Sequence, residues 1–323
     1  MRKPAVDLML MGVVLIWGAN YTVGKYGMQA LSPEVFTLSR FLLVIPVLGA
    51  LVLWKEGSAA VRLKDLPAFM LAALVGISLY QTLFVASLKY TSATNASLLV
   101  AMSPLFTVAG AVLMRQQRAS LPLAIGSLLA VAGVIVVKGM APGGLRFSWE
   151  SLRGDGLAAI ASLLFGLYPF TTAKLSKRYS AMQVTFHTAW LGALFLAIYC
   201  GPSLLSVDWT TLPATAWWSL LYAAYPVTAY SLAAWNYGIE QLGASRVMPY
   251  MYLVPVTAIL VAVAAIDEQM NGWQLLGAFQ IVGGVFLVRQ GQTLFDRWKQ
   301  AGKWSARLRP TLSARYGEDK RNK

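Results

Sequence analysis

The sequence predicts an all-α polytopic membrane protein in which ten transmembrane helices form an inverted 5+5 repeat. Three observations lead there. Of 323 residues, 57% are hydrophobic and only 12% charged, with a mean hydropathy of +0.58; a soluble domain carries about twice that share of charge. The apolar residues fall into runs of membrane-spanning length, and the charges sit in the short breaks between them. Finally, residues 93–137 recur at 244–288 without a gap, at a constant offset of 151. Pro104 meets Pro255, Gly126 meets Gly277 and Gly133 meets Gly284, within 9 identities over 45 positions. Repeats of this kind mark folds in which a cavity forms between two related halves.

The spans, in order, are 6–25, 34–54, 66–88, 92–114, 121–138, 156–174, 182–200, 216–239, 244–265 and 273–290. Each is long enough to cross a hydrocarbon core of about 30 Å at about 1.5 Å per residue. Unpaired backbone amides are not tolerated in lipid, so closed helices are the expected form. Arg2 and Lys3 precede the first apolar run as they would in a signal peptide. That run has its own echo, however: at an offset of 148, Asp7 meets Asp155, Gly18 meets Gly166, and Trp17 stands opposite Phe165. The first span therefore belongs to the fold. Five helices per half is an odd number, so the second half enters the membrane upside down relative to the first. The organisation is a first repeat at 1–138, an outer linker at 139–154, a second repeat at 155–290 and a basic cytoplasmic tail at 291–323. Leu294, Trp298, Ala301 and Leu308 can share one face of that tail, which suits either a helix on an anionic leaflet or a disordered solubilising segment.

Charge placement orients the chain. With the N-terminus inside, the inner segments hold 20 of the 27 Lys and Arg residues and the outer segments five. Both termini are then cytoplasmic, in an inner membrane. The net charge of +14 is thereby a topology signal, which removes the case for a nucleic-acid partner. The single Cys200 excludes an intrachain disulfide. One histidine, one cysteine and no clustered carboxylates leave no familiar metal site, and no phosphate-cradling loop is present, so no cofactor and no catalytic residues are expected.

Polar and aromatic residues inside spans are the substrate-binding candidates, because a desolvated amide or hydroxyl needs a partner and faces the interior. They are Trp17, Asn20, Tyr80, Gln81, Asn95, Ser103, His187, Tyr230, Trp235, Asn236 and Tyr252. Pro104 and Pro255 fall near the centres of the fourth and ninth spans, where each would free a carbonyl (of Val100 and of Met251) and kink its helix around a midplane site. Gly126 and Gly133, and Gly277 and Gly284, lie seven apart on one helix face and read as close-packing strips, against the other half or a second copy of the chain. No Asp or Glu lies mid-span, which removes the usual proton carriers and favours facilitated diffusion over proton antiport. Arg40 reads as a snorkelling structural residue or a partner for a substrate carboxylate, and Arg246 as a partner for Glu240.

Three stretches resemble the EamA family of the drug/metabolite transporter superfamily: VVLIWGANYTVGKYG in the first span, YTSATNASLLVAMSPLFTVAGAVLM across the fourth, and AAWNYGIEQLGASRVMPYMYLVPVTAILVAV across the eighth and ninth. The resemblance implies a basket of ten helices around a central cavity, with the fifth and tenth at one end, and export of amino acids or other small metabolites. The second-half Tyr168-Pro169 departs from the first-half pattern, so the two walls are not equivalent. The expectation is an exporter of a small metabolite, an amino acid or related compound, working by alternating access. A lipid or glycolipid flippase of the same superfamily, and a membrane-embedded enzyme or scaffold, are the rivals.

Overall fold

The computed structural model describes residues 3–87, 90–91, 99–116, 120–140, 151–266, 272–273 and 275–288, and every regular element among them is helical. Asn95, residues 141–150 of the expected linker and the whole basic tail lie outside the described residues.

Helix α1 runs Lys3–Ala30 and α2 runs Pro33–Glu56. The break between them is built locally. Ser32 accepts from the Val35 N–H, Pro33 takes the first helical position, and at the far end Gly57 adopts φ +71° to donate back to Leu53 O. These are the capping roles that Ser, Pro and Gly fill at helix ends. Helix α3 covers Leu63–Ser87, opening with a 3-10 turn and widening to a π-helical stretch at Leu74–Leu79. Helices α4 (Ser103–Leu113), α5 (Leu121–Gly139), α6 (Ser151–Thr172) and α7 (Ala181–Leu205) follow. Helix α8 passes from Ala214–Tyr222 through a second π-helical stretch, Ala223–Tyr230, to Ser231–Leu242. Helix α9 is composite: Ala244–Val247, a 3-10 run Met248–Leu253, then Val254–Ile266; α10 is Leu275–Val288. Helices α1, α2, α3, α6 and α7 each contain a stretch long and apolar enough to cross a bilayer, and α4, α5 and α10 are shorter apolar helices. Among the described residues the protein is all-helical, with the apolar spans of a polytopic membrane protein.

Two expectations need correcting here. Pro104 and Pro255 are not mid-helix kinks. Each stands in the first turn of an α-helical segment, Pro104 after the i→i−3 turn closed by the Met102 N–H, Pro255 after the 3-10 run. A first-turn N–H has no acceptor within its helix, so the missing donor does no harm there. The carbonyls expected to be orphaned have partners: Val100 O accepts from Ser162 Oγ at 3.4 Å, and Met251 O from the Val254 N–H. The prolines that do lie within helices are Pro46, Pro169, Pro202 and Pro226. Nor does Arg246 pair with Glu240, whose carboxylate sits against the backbone of Ala181 instead.

Packing pairs elements distant in sequence. Helix α2 lies along α7, α1 runs between α8 and α9, and α6 is held by α3 and α4. Helices α5 and α10 cross antiparallel through their glycines: a Cβ on Gly126 would lie 2.8 Å from Gly284 O, and one on Gly133 would lie 2.6 Å from Gly277 O. A comparable intimacy joins α1 to α9, where Gly18 faces Thr257, and α6 to α4, where Gly166 faces Phe106 and Thr107. Hydroxyls reinforce both crossings: Thr257 Oγ1 donates to Val14 O at 3.0 Å, and Thr107 Oγ1 donates to Gly166 O at 2.7 Å. In an apolar solvent, such close backbone approach and hydroxyl bonding replace the hydrophobic effect as the source of helix association.

One end of the molecule is fastened by polar contacts. Arg178 Nη1 meets Asp65 Oδ1 at 2.7 Å, Tyr179 OH donates to Asp65 Oδ2 at 2.8 Å, and the Arg62 N–H donates to Tyr179 OH. Gln183 Nε2 donates to Ser58 O, and Ser180 bonds the Glu56 carboxylate. These contacts tie the α2–α3 connection to the α6–α7 connection. Asp65→Asn and Arg178→Gln should each lower the thermal midpoint in detergent, and the double variant should lose less than the two losses added. Additive losses in that cycle would mean the ion pair contributes no coupling of its own.

Candidate functional site

Four aromatic side chains from four helices come together in one cluster. The Trp17 (α1) and Trp235 (α8) rings lie 4.9 Å apart at 42°, and Tyr80 (α3) stacks on Phe165 (α6) at 4.9 Å and 29°. All four belong to one apolar cluster with Val13, Val14 and Val254. Trp17 is steered by its indole N–H, which donates to Val227 O at 3.2 Å, a carbonyl within the π-helical stretch of α8. A π turn displaces carbonyls from the regular ladder, which makes such sites recurrent features of functional helices. Tyr80 follows directly on the matching stretch of α3, so both wide turns feed this group.

Among the candidates, four buried polar atoms bond nothing in the protein: Trp235 Nε1 within this cluster, Asn20 Oδ1 on α1, Ser103 Oγ on α4 and Tyr252 OH on α9. Asn20 lies one turn beyond Trp17, the Ser103 carbonyl touches Gly166 beside Phe165, and Tyr252 packs in a separate cluster with Ala101, Val131 and Ile281. Each unsatisfied buried group costs about 1–3 kcal/mol, so each of these positions is a demand for a hydrogen bond. The cluster offers flat apolar walls with the unpartnered Trp235 indole N–H among them, which suits a small solute with an apolar body.

The other candidates lie elsewhere. Asn236 is committed to the protein, its Oδ1 accepting from Tyr168 OH at 3.2 Å and its Nδ2 donating to Thr185 Oγ1 at 2.9 Å. That buried chain bridges α6, α7 and α8, and Tyr168 is in turn pressed against Gly76 of the α3 π stretch. His187 lies by the α2–α3 connection, with Nε2 2.9 Å from Ala59 O and Nδ1 accepting from Trp190 Nε1 at 3.0 Å. Those partners fix the neutral Nε2–H tautomer. Gln81 lines a small cavity with Glu34, Thr37 and Thr82, and Tyr230 is 50% exposed on the outer side of α8. A larger groove of about 590 Å³ opens between α1 and α8, lined by residues including Tyr26, Trp218, Tyr222 and Pro226. Sequence reasoning passed over Phe165 as a wall and Thr185 as a partner. The signal for Phe165 was there in its alignment with Trp17 across the repeat.

The model of the EamA-like transporter family matches residues 5–139 and 152–290. A protein of Archaeoglobus fulgidus described as an uncharacterized transporter is 30% identical over 285 residues, covering 88% of this chain and 97% of its own. Two further relatives are each 27% identical. One, from Streptantibioticus cattleyicolor, is named a probable terminal-alkyne amino-acid exporter and shares 86% of this chain and 91% of its own. The other, from Salmonella typhimurium, is named a probable amino-acid metabolite efflux pump and shares 85% and 91%. A solved crystal structure at 18% identity superposes with a TM-score of 0.72 over 88% of this chain and 96% of that one, which supports the fold. These are transporters rather than enzymes, and the chain belongs to the EamA-like transporter family.

Proposed function

We propose that the protein exports a small metabolite, an amino acid or a close relative, from the cytoplasm across the inner membrane by alternating access. The observation that carries this is the four-helix aromatic group of Trp17, Tyr80, Phe165 and Trp235, with the Trp235 indole N–H left without a partner. The names of the two 27%-identical relatives point the same way. The ten helices act as two inverted halves with both termini cytoplasmic. The reciprocal contacts Gly126–Gly284 and Gly133–Gly277, each the repeat image of the other, favour that symmetry. Transport is facilitated diffusion, since Asp7, Asp155, Glu34 and Glu240 all stand near helix ends.

Proteoliposomes loaded with each amino acid in turn, with and without a pH gradient, test this directly. Efflux of at least one amino acid that is indifferent to the gradient is expected. Absence of any flux rejects the exporter, and efflux only under a gradient replaces diffusion by antiport. The lipid-flippase alternative draws on the groove between α1 and α8. Movement of fluorescent phospholipid between leaflets, without solute flux, would select it.

A further inference from the structure

The groove of about 590 Å³ between α1 and α8 is of ligand-binding size, and its wall is built for an apolar occupant. Two of its hydroxyls are turned into the seam between the helices. Ser219 Oγ donates to Val23 O at 2.8 Å and Tyr222 OH donates to Ile16 O at 3.0 Å, so both residues present carbon to the groove. Val23, Leu221 and Pro226 continue that surface, while Tyr26 and Thr215 stand near the helix ends. An amide or carboxylate seated in the deeper part would lose its water and gain no partner. The groove is therefore no second site for an amino acid.

Its length and its mouth name the occupant. From Thr215 to Pro226 the wall runs about 16 Å along α8, close to half of a hydrocarbon core of about 30 Å. The groove thus begins at one membrane face and stops near the midplane. Its start is marked by tryptophans, the residues that gather at headgroup level. Trp218 is 71% exposed, and the neighbouring Trp217 lies 5.9 Å from Trp209. We infer that the groove seats one acyl chain of a phospholipid from the leaflet at the α1–α2 end. The lipid is resident rather than cargo: among the described residues no charged side chain lines the groove to carry a headgroup inward, and the groove ends at Pro226. The seat also abuts the aromatic group. Trp17 donates to Val227 O, one residue past that end, and Tyr222 of the wall bonds the carbonyl just before Trp17. A chain packed on Tyr222 and Pro226 backs the α1–α8 seam beside Trp17, whatever solute the rings accept, so this inference stands apart from the exporter reading.

The test places the full-length protein in phosphatidylcholine vesicles doped with phosphatidylcholine that carries a photoreactive diazirine midway along one chain. Cross-linked positions are mapped by mass spectrometry as the doped fraction rises. Labelling at Val23, Leu221 and Tyr222 should saturate, whereas labelling of the exposed Phe279 and Phe286 on α10 should rise in proportion. Val23→Phe and Leu221→Trp fill the groove and should each cut its labelling about tenfold, the factor for displacing roughly two buried methylenes, with α10 unchanged. Proportional labelling of the groove overturns the seat and leaves ordinary boundary lipid there, and this wild-type comparison decides the matter even where a variant fails to fold. Undiminished labelling in both folded variants overturns it as well. An unlabelled groove with cross-links between two protein copies would give the surface to a second chain. Saturable labelling accompanied by passage of the doped lipid to the other leaflet would make the lipid cargo and overturn the resident assignment.

Discussion

Gly133→Ala should destabilise the protein by about 1–3 kcal/mol, the range for overpacking a tight interior contact. The added methyl would lie 2.6 Å from Gly277 O and 2.8 Å from Ile281 N. Both obstacles are backbone, so no rotamer change relieves them and α5 must move off α10. Gly126→Ala meets the same obstruction at Gly284 O and Val288 N, both at 2.8 Å. Gly283→Ala is the control, because its new methyl finds only Leu129 Cδ2, at 3.7 Å. Thermal unfolding in detergent should separate the three, with Gly283→Ala within about 0.5 kcal/mol of wild type. Equal midpoints for Gly133→Ala and Gly283→Ala would show that the crossing contributes little to stability.

Trp235→Ala carries the second large effect, about 3–5 kcal/mol, the range for emptying a fully buried aromatic site. Trp235 has no exposed surface and packs against Trp17 and the α1 and α9 side chains of the same cluster. The alanine variant alone cannot separate folding from binding, so Trp235→Phe is the informative partner. It keeps most of the packing while removing the unsatisfied Nε1. A midpoint close to wild type together with a raised KM for efflux is expected. Wild-type KM in Trp235→Phe would confine Trp235 to the core and remove its N–H from solute recognition.

Composition and the length of the apolar runs made an all-helical polytopic membrane protein readable from sequence. They record bulk properties of the chain, such as how far an apolar run extends and where a side chain is missing. The Gly126 and Gly133 strip could be read for the same reason: a missing side chain seven residues apart marks one helix face whatever its surroundings. Orientation within a helix was another matter. Helix α7 is apolar on every side, so nothing in AMQVTFHTAWLGALFL says that Thr185 meets Asn236 while His187 turns to the α2–α3 connection. In water a polar residue marks the outer face. In lipid it marks only some interior partner, and Asn20 and Asn236 look alike in sequence though one is unbonded at Oδ1 and the other bonded at both ends. Pro104 and Pro255 were read as kinks because periodicity cannot distinguish one bent helix from a 3-10 run followed by a new α-helix.

The paired wide turns at Leu74–Leu79 and Ala223–Tyr230 have a mechanical consequence. Each stores one residue beyond the regular helical count, and a single residue corresponds to about 100° of rotation about the helix axis. Sliding that surplus along the rod exchanges one set of backbone bonds for another, so whatever lies between its old and new positions can swivel while both ends stay put. Tyr80 stands immediately past one store and Trp235 five positions past the other. A turnstile of this kind would part the rings without any need for the Asp65–Arg178 fastening to let go.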